Sequence, residues 1–247
     1  VEALQKLDPH TYYQKFIEAG VRPDGRSFNR VRNISIMNGV LNAEHIAASS
    51  LVTLGHTKVI TAVTLQVGNP SNSTPNLGEV QAQVILSPLC SSLFSIGRPP
   101  EEAIILEELI RSLICDSKLI SLEDLCIEPG RLAWKLCIDA QCLSYAGNLT
   151  DATVLSVISC LAKIKIPPTV TSTDGKVMIS EGKGKVLALR TFPVPLTLGY
   201  YNNVLVADPS LLEQELLSTS ITIIQTSKGE IVQVHKHGGM GLTGPQL

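Results

Sequence analysis

One feature constrains this chain's fold more than any other: a strand pattern that runs without a break into a helix pattern. From Trp134 to Cys142, the apolar residues Trp134, Leu136, Ile138, Ala140 and Cys142 alternate with Lys135 and Asp139. That period of two marks a strand with one face on a core. The chain then passes through Ala146-Gly147-Asn148-Leu149-Thr150-Asp151 into an apolar, helix-like run stopped by Pro167 and Pro168. A strand, turn and helix in this order form a ready-made anion seat, because free backbone N–H groups point out of the helix start. Here Asp151 stands in the first helical turn, with no Arg or Lys within ten residues on either side.

The rest of the chain reads as further strands and few helices. EALQKLDPHTYYQKFIEAG is a helix broken or restarted at Pro9 and ended at Gly20, and VRPDGRSFNR brings the Pro-Asp-Gly signature of a turn. Several strands follow, with Gly55-His56 turning a hairpin, and GNPSNSTPNLGE is a loop. After Pro99 a helix is predicted, with Glu101 and Glu102 complementing its positive end. Ala103, Leu106, Leu109, Ile110, Leu113 and Ile114 make its apolar face. Further on come a Tyr-Asn-Asn hairpin turn, the short amphipathic piece LLEQELLS, and a hairpin turned at Ser227-Lys228-Gly229. The fold class is α+β, with mixed sheets and helices packed on them.

Composition narrows the function. Of the 247 residues 44% are hydrophobic and 17% charged, which excludes a disordered chain, and a net charge of −2 leaves nucleic-acid contact to local patches. The six cysteines include no C-x-x-C pair, so buried free thiols in a reducing compartment are the expectation, ahead of a disulfide framework or zinc site. No run is apolar enough to span a bilayer, and the reading is an intracellular soluble protein.

Motifs with chemistry are few. GMGLTG places Gly239, Gly241 and Gly244 in a G-x-G-x-x-G pattern, but a turn leading into a terminal helix fits better than a dinucleotide site. His235 and His237 lie at strand spacing with no third ligand near, so a solvated strand face is preferred to a metal site. No G-x-S-x-G elbow appears. Arg22, Arg26, Arg30 and Arg32 cluster after the first helix, and Arg98 stands on a loop before the second. Solvated surface is the default reading of these arginines, and contact with backbone phosphate is the sharper one.

The segment VRPDGRSFNRVR, with GHTKVITAV, PLCSSLFSIGRPPEEAIILEELIRSLI, LEDLCIEPGRLAWKLCIDAQCLSYAGNLTDA and VADPSLLEQELLSTSITIIQTSKGEI in that order, resembles the ribonuclease PH family from about Tyr12 onward. The resemblance implies an RNase PH-like fold (ribosomal protein S5 domain 2-like) in two β-α-β-rich halves. An N-terminal helical segment at 1–20 would precede a domain at 21–247, with a C-terminal helix expected beyond. It also implies a hetero-hexameric ring with other RNase PH-like subunits of the RNA exosome, cap proteins of S1 and KH folds, an associated nuclease, RNA, and no membrane. The expected locations are nucleus, nucleolus and cytoplasm.

Active members of the family cleave RNA from its 3′ end with inorganic phosphate as nucleophile. Such chemistry needs cations to seat phosphate and acidic residues near the leaving oxygen, usually with a divalent metal. Aligned on Asp139, this chain has Leu149 and Thr150 where active members have the Thr and Arg that seat phosphate. Aligned on Asp208, it has Gln214 and Ser220 in place of two catalytic aspartates; Glu213 and Glu215 are near, so a one-residue slip restores one carboxylate but not both. Arg111 stands nearly alone in a helix that is richer in arginine in active members. Asn148 is suited to cap the helix, with Asp151 bonding back in a capping-box-like exchange and repelling phosphate. The expectation is a non-catalytic ring subunit with no catalytic, cofactor or metal residues, and Arg98, then Arg22 and Arg26, as RNA contacts. The rivals are a working phosphorolytic exoribonuclease and a stand-alone binding module.

Overall fold

The computed structural model describes residues 7–71, 73–171, 177–179, 184–201, 204–236, 238–239 and 241. Helix α1 (Pro9–Glu18) is capped by Asp8, whose carboxylate accepts from Thr11 N at 3.1 Å. A first sheet follows, built from β1 (Ile34–Asn38), β2 (Ile46–Leu54), β3 (Thr57–Gly68), β4 (Glu79–Ile85), β5 (Cys126–Glu128) and β6 (Leu132–Ser144). Its order is β1-β2-β3-β6-β4, with β5 also on β6; only β4 runs parallel to its neighbour β6. The β2–β3 hairpin turns at Gly55-His56, as the sequence predicts.

Helix α2 (Glu101–Cys115) lies between β4 and β5 in the chain, and all six residues of its predicted apolar face are buried. It packs on β4. Helix α3 (Leu149–Leu161) leaves β6 through the Ala146-Gly147-Asn148 turn and is covered on nearly every side. It contacts β2 and β3 on one side and, on the other, strand β11 (Pro193–Tyr201) of a second sheet. A helix apolar all round is a central helix, and each of its fully buried Val, Leu and Ile side chains contributes roughly 1.5–3 kcal/mol. Ser156 is the polar exception on the first-sheet side, where Ser50 and Thr61 hydroxyls bond it at 3.1 and 2.7 Å.

The strand pairs β7 (Lys165–Ile166) with β10 (Lys185–Val186), and β8 (Thr169–Thr171) with β9 (Val177–Ile179), link the halves. The second sheet has the order β12-β11-β13-β14, from β11 (Pro193–Tyr201), β12 (Val204–Ala207), β13 (Thr219–Thr226) and β14 (Ile231–Lys236), with the short helix α4 (Leu211–Leu216) before β13. Pro193 and Pro195 are tolerated in β11 because β12 pairs only with its far end, Leu198–Tyr201. A proline there faces no ladder partner that needs its N–H. The predicted Tyr-Asn-Asn turn at 202–203 and the terminal turn from 242 onward lie outside the described residues. Among the described residues, no helix is long and apolar enough to cross a membrane.

Candidate functional site

The site forms where α3 begins. Gly147 has φ +90, and a Cβ there would run into Leu211 N and Ser210 C, so the start of α4 rests on the bare glycine backbone. Leu211 N also donates to Ala146 O at 3.2 Å, and the Thr57 hydroxyl donates to Gly147 O at 2.7 Å. Asn148 takes the left-handed conformation at the N-cap, φ 49, which asparagine tolerates better than most residues.

The helix start is occupied by the chain's own side chains. Asp151 N donates to Asn148 Oδ1 at 3.4 Å, and Asn148 N donates to Gln214 Oε1 at 3.3 Å. The expected return bond from Asp151 to the Asn148 backbone does not form. Gln214 holds that N–H instead, and Asp151 turns inward. Its carboxylate accepts from Asn148 Nδ2 at 2.7 Å, Thr197 N at 3.0 Å and Thr197 Oγ1 at 2.7 Å. Asp151 is 3% exposed, so the aspartate bolts α3 to β11 rather than repelling an anion outside. Burial raises its pKa; the bonds from Thr197 and Asn148 oppose the rise, and the charge of Asp208 adds to it.

The arginine cluster has a structural role that the sequence reading missed. Arg22 is 1% exposed; its guanidinium pairs with Glu213 and donates to Ala207 O at 2.7 Å and Asp208 O at 2.9 Å. Arg22 therefore has no free face for RNA, which corrects the expectation drawn from the cluster. Arg26 reaches Asp208 Oδ2 at 3.0 Å and Asp24 at 2.6 Å, so its charge too is committed internally. Arg32 donates to both oxygens of Asp208, and Asn148 Nδ2 donates to Asp208 Oδ1 at 2.7 Å. Burial alone would raise the Asp208 pKa, but the Arg32 and Asn148 bonds outweigh it and hold the carboxyl below its usual range. Of the predicted RNA contacts, only Arg98 is exposed, on the loop before α2.

Thr150, Gln214 and Ser220 meet in one cavity of about 90 Å³, between α2, the α3 start and β11, β13 and β14. Glu102, Tyr145 and His235 also line it, and among the described residues no Lys or Arg does. Tyr145 OH donates to Gln214 Oε1 at 3.2 Å. Glu213 is not part of this lining: it faces Arg22, and Tyr13 OH donates to it at 3.0 Å. Glu215 lies on an adjoining cleft with Leu93. Arg111 is on the α2 surface, paired with Glu108. Among the described residues, no group of three or more His, Cys, Asp or Glu side chains is placed to hold a metal ion.

Two sheets around a central helix, with a polar cavity at the helix start, define the class as an α+β fold of two sheet-bearing halves that meet at that corner. The chain belongs to the 3′ exoribonuclease family: domain 1 of that family matches residues 30–167 and domain 2 matches residues 191–247. The exosome complex component Rrp42 of Methanopyrus kandleri is 35% identical over 220 residues, 89% of this chain and 81% of that protein. Its counterpart in Methanothermobacter thermautotrophicus is 36% identical, covering 90% and 81%. A chain of the Archaeoglobus fulgidus exosome, solved with RNA bound to the active site, superposes with a TM-score of 0.85 at 31% identity, covering 96% of this chain and 89% of that one. Rice Rrp46, at 17% identity and a TM-score of 0.64, shares the fold.

Proposed function

We propose that the chain is a non-catalytic structural subunit of an exosome-type ring. It supports 3′-to-5′ RNA processing and degradation, including rRNA processing and mRNA decay, by scaffolding its neighbours and lining the RNA path. One observation carries the reading. The residues aligned with the phosphate-seat arginine and with the two catalytic aspartates, Thr150, Gln214 and Ser220, share a single cavity that, among the described residues, no Lys or Arg lines. Phosphoryl chemistry relies on preorganised positive charge at the transferring group, and this corner supplies a threonine, an amide and a hydroxyl.

The sequence segments SPLCSS and LEDLCIEPGRLAWKL favour a subunit like ribosomal RNA-processing protein 43, while the curated relatives named above are Rrp42 proteins. On this reading the chain works beside other RNase PH-like subunits, with S1 and KH cap proteins and an associated nuclease, and the proposed locations are nucleus, nucleolus and cytoplasm. Arg98 is the candidate RNA contact. The alternative is an active phosphorolytic exoribonuclease. Incubating the purified chain with end-labelled RNA and orthophosphate separates the two. Nucleoside diphosphate at background level supports the structural role, whereas phosphate-dependent release above background overturns it.

A further inference from the structure

We propose that β1 receives an added strand from a neighbouring folded ring subunit, so that the first sheet continues across the interface. The inference rests on the ring reading above and names the surface that would make it.

A free sheet edge is a template for pairing, and proteins blunt edges with charge, proline, bulges or cover. Three edges of the two principal sheets are blunted here. At β4, helix α2 packs alongside, and Glu107 Oε1 accepts from Val84 N at 2.9 Å. At β12, Ala207 N donates to Phe28 O at 2.8 Å and Ala207 O accepts from Arg22. At β14, the ladder carries a register shift opposite Ile224/Gln225, and the strand ends on Lys236.

The β1 edge has none of these devices. Its sequence, ISIMN, lacks charge, proline and glycine, and its pairing with β2 is regular throughout. All five residues are exposed, including Ile34 at 48%, Ile36 at 46% and Met37 at 56%.

The ladder also shows which backbone groups await a partner. Gly55 N donates to Asn33 O and Gly39 N donates to Ser49 O, so Asn33 and Gly39 both face β2. Strand periodicity then turns Ser35 and Met37 towards β2, and Ile34, Ile36 and Asn38 outwards. Outward N–H and C=O groups at every second residue are met in register by an extended backbone, not by a helix. Five residues span only about 17 Å, too little for a stable interface, which needs roughly 800 Å² per partner. The occupant is therefore an edge strand of a folded neighbour, with the rest of that neighbour supplying the remaining contact.

Hydrogen exchange on the full chain, alone and reconstituted with the other RNase PH-like subunits of its source organism, tests this. The Ile34, Ile36 and Asn38 amides should slow about tenfold or more on assembly, while Ser35 and Met37, already bonded to β2, change little. Ile36→Lys should weaken incorporation about tenfold or more, with unchanged circular dichroism. If that variant fails to fold, exchange on the unmodified chain decides alone. A chain that enters the ring with those three amides exchanging as before overturns the inference and leaves the ring reading intact. A chain that stays single in native mass spectra beside those subunits overturns both. Concentration-dependent protection in the isolated chain shows a second copy on the strand, and that also overturns it.

Discussion

Asp208→Asn is the sharpest test of the network behind the site. Asp208 has φ 51, a conformation asparagine tolerates, so the backbone need not move. Its Oδ2 accepts from Arg26 Nη1, Arg32 N and Arg32 Nε, and its Oδ1 from Arg32 Nη2 and Asn148 Nδ2. An amide NH2 at Oδ1, the less occupied side, points a donor at two donors and leaves two arginines beside a neutral group. Losing the anion of a buried pair costs about 3–5 kcal/mol, which for a chain this long lowers Tm by roughly 6–20 °C. Urea unfolding followed by circular dichroism at pH 7 reads the difference. The folded pKa of Asp208 is depressed, so its contribution is complete above the unfolded value and is lost as pH falls through the folded one. The gap between wild type and variant should therefore close on acidification below about pH 4. A loss under about 1 kcal/mol at pH 7, the worth of a surface pair, would refute the reasoning.

Other substitutions probe neighbouring parts. Asp151→Asn should change stability by less than about 1 kcal/mol at pH 7, because its amide can donate to Thr197 Oγ1, which then donates to Thr222 Oγ1 at 2.8 Å. Since burial raises the Asp151 pKa, the wild type should gain on the variant as pH falls, which parallel melts at pH 7 and pH 5 measure. Gly147→Ala should cost more than about 3 kcal/mol by denaturant unfolding, because both its positive φ and the α4 backbone exclude a methyl group. Arg98→Glu should leave stability within about 0.5 kcal/mol and reduce RNA crosslinking to the assembled ring.

Local pattern carried much of the fold. The α2 face was legible because six apolar side chains recur at helical spacing, and the β6-to-α3 corner because a period of two gives way to a continuous apolar run. The cavity residues Thr150, Gln214 and Ser220 were legible only through the family resemblance, since nothing in their spacing brings them together. The arginine network was not legible. Arg22 and Glu213 stand 191 residues apart, and Arg32 and Asp208 stand 176 apart, so a cluster of basic residues read alone looks solvated or phosphate-directed. The burial that recasts Arg22 as a staple is a tertiary property. The same holds for Asp151, whose partner Thr197 lies in the other sheet.

The start of α3 is filled by Asn148, Gln214 and the chain's own hydrogen bonds, and on the proposed function it does not seat phosphate. Titrating orthophosphate into the isotope-labelled chain and following the amide resonances of residues 148–151 tests it most directly. The account predicts no saturable shift up to roughly 10 mM, an affinity too weak to matter. A saturable shift at Asn148, Leu149 or Thr150 with a Kd below about 1 mM would contradict it.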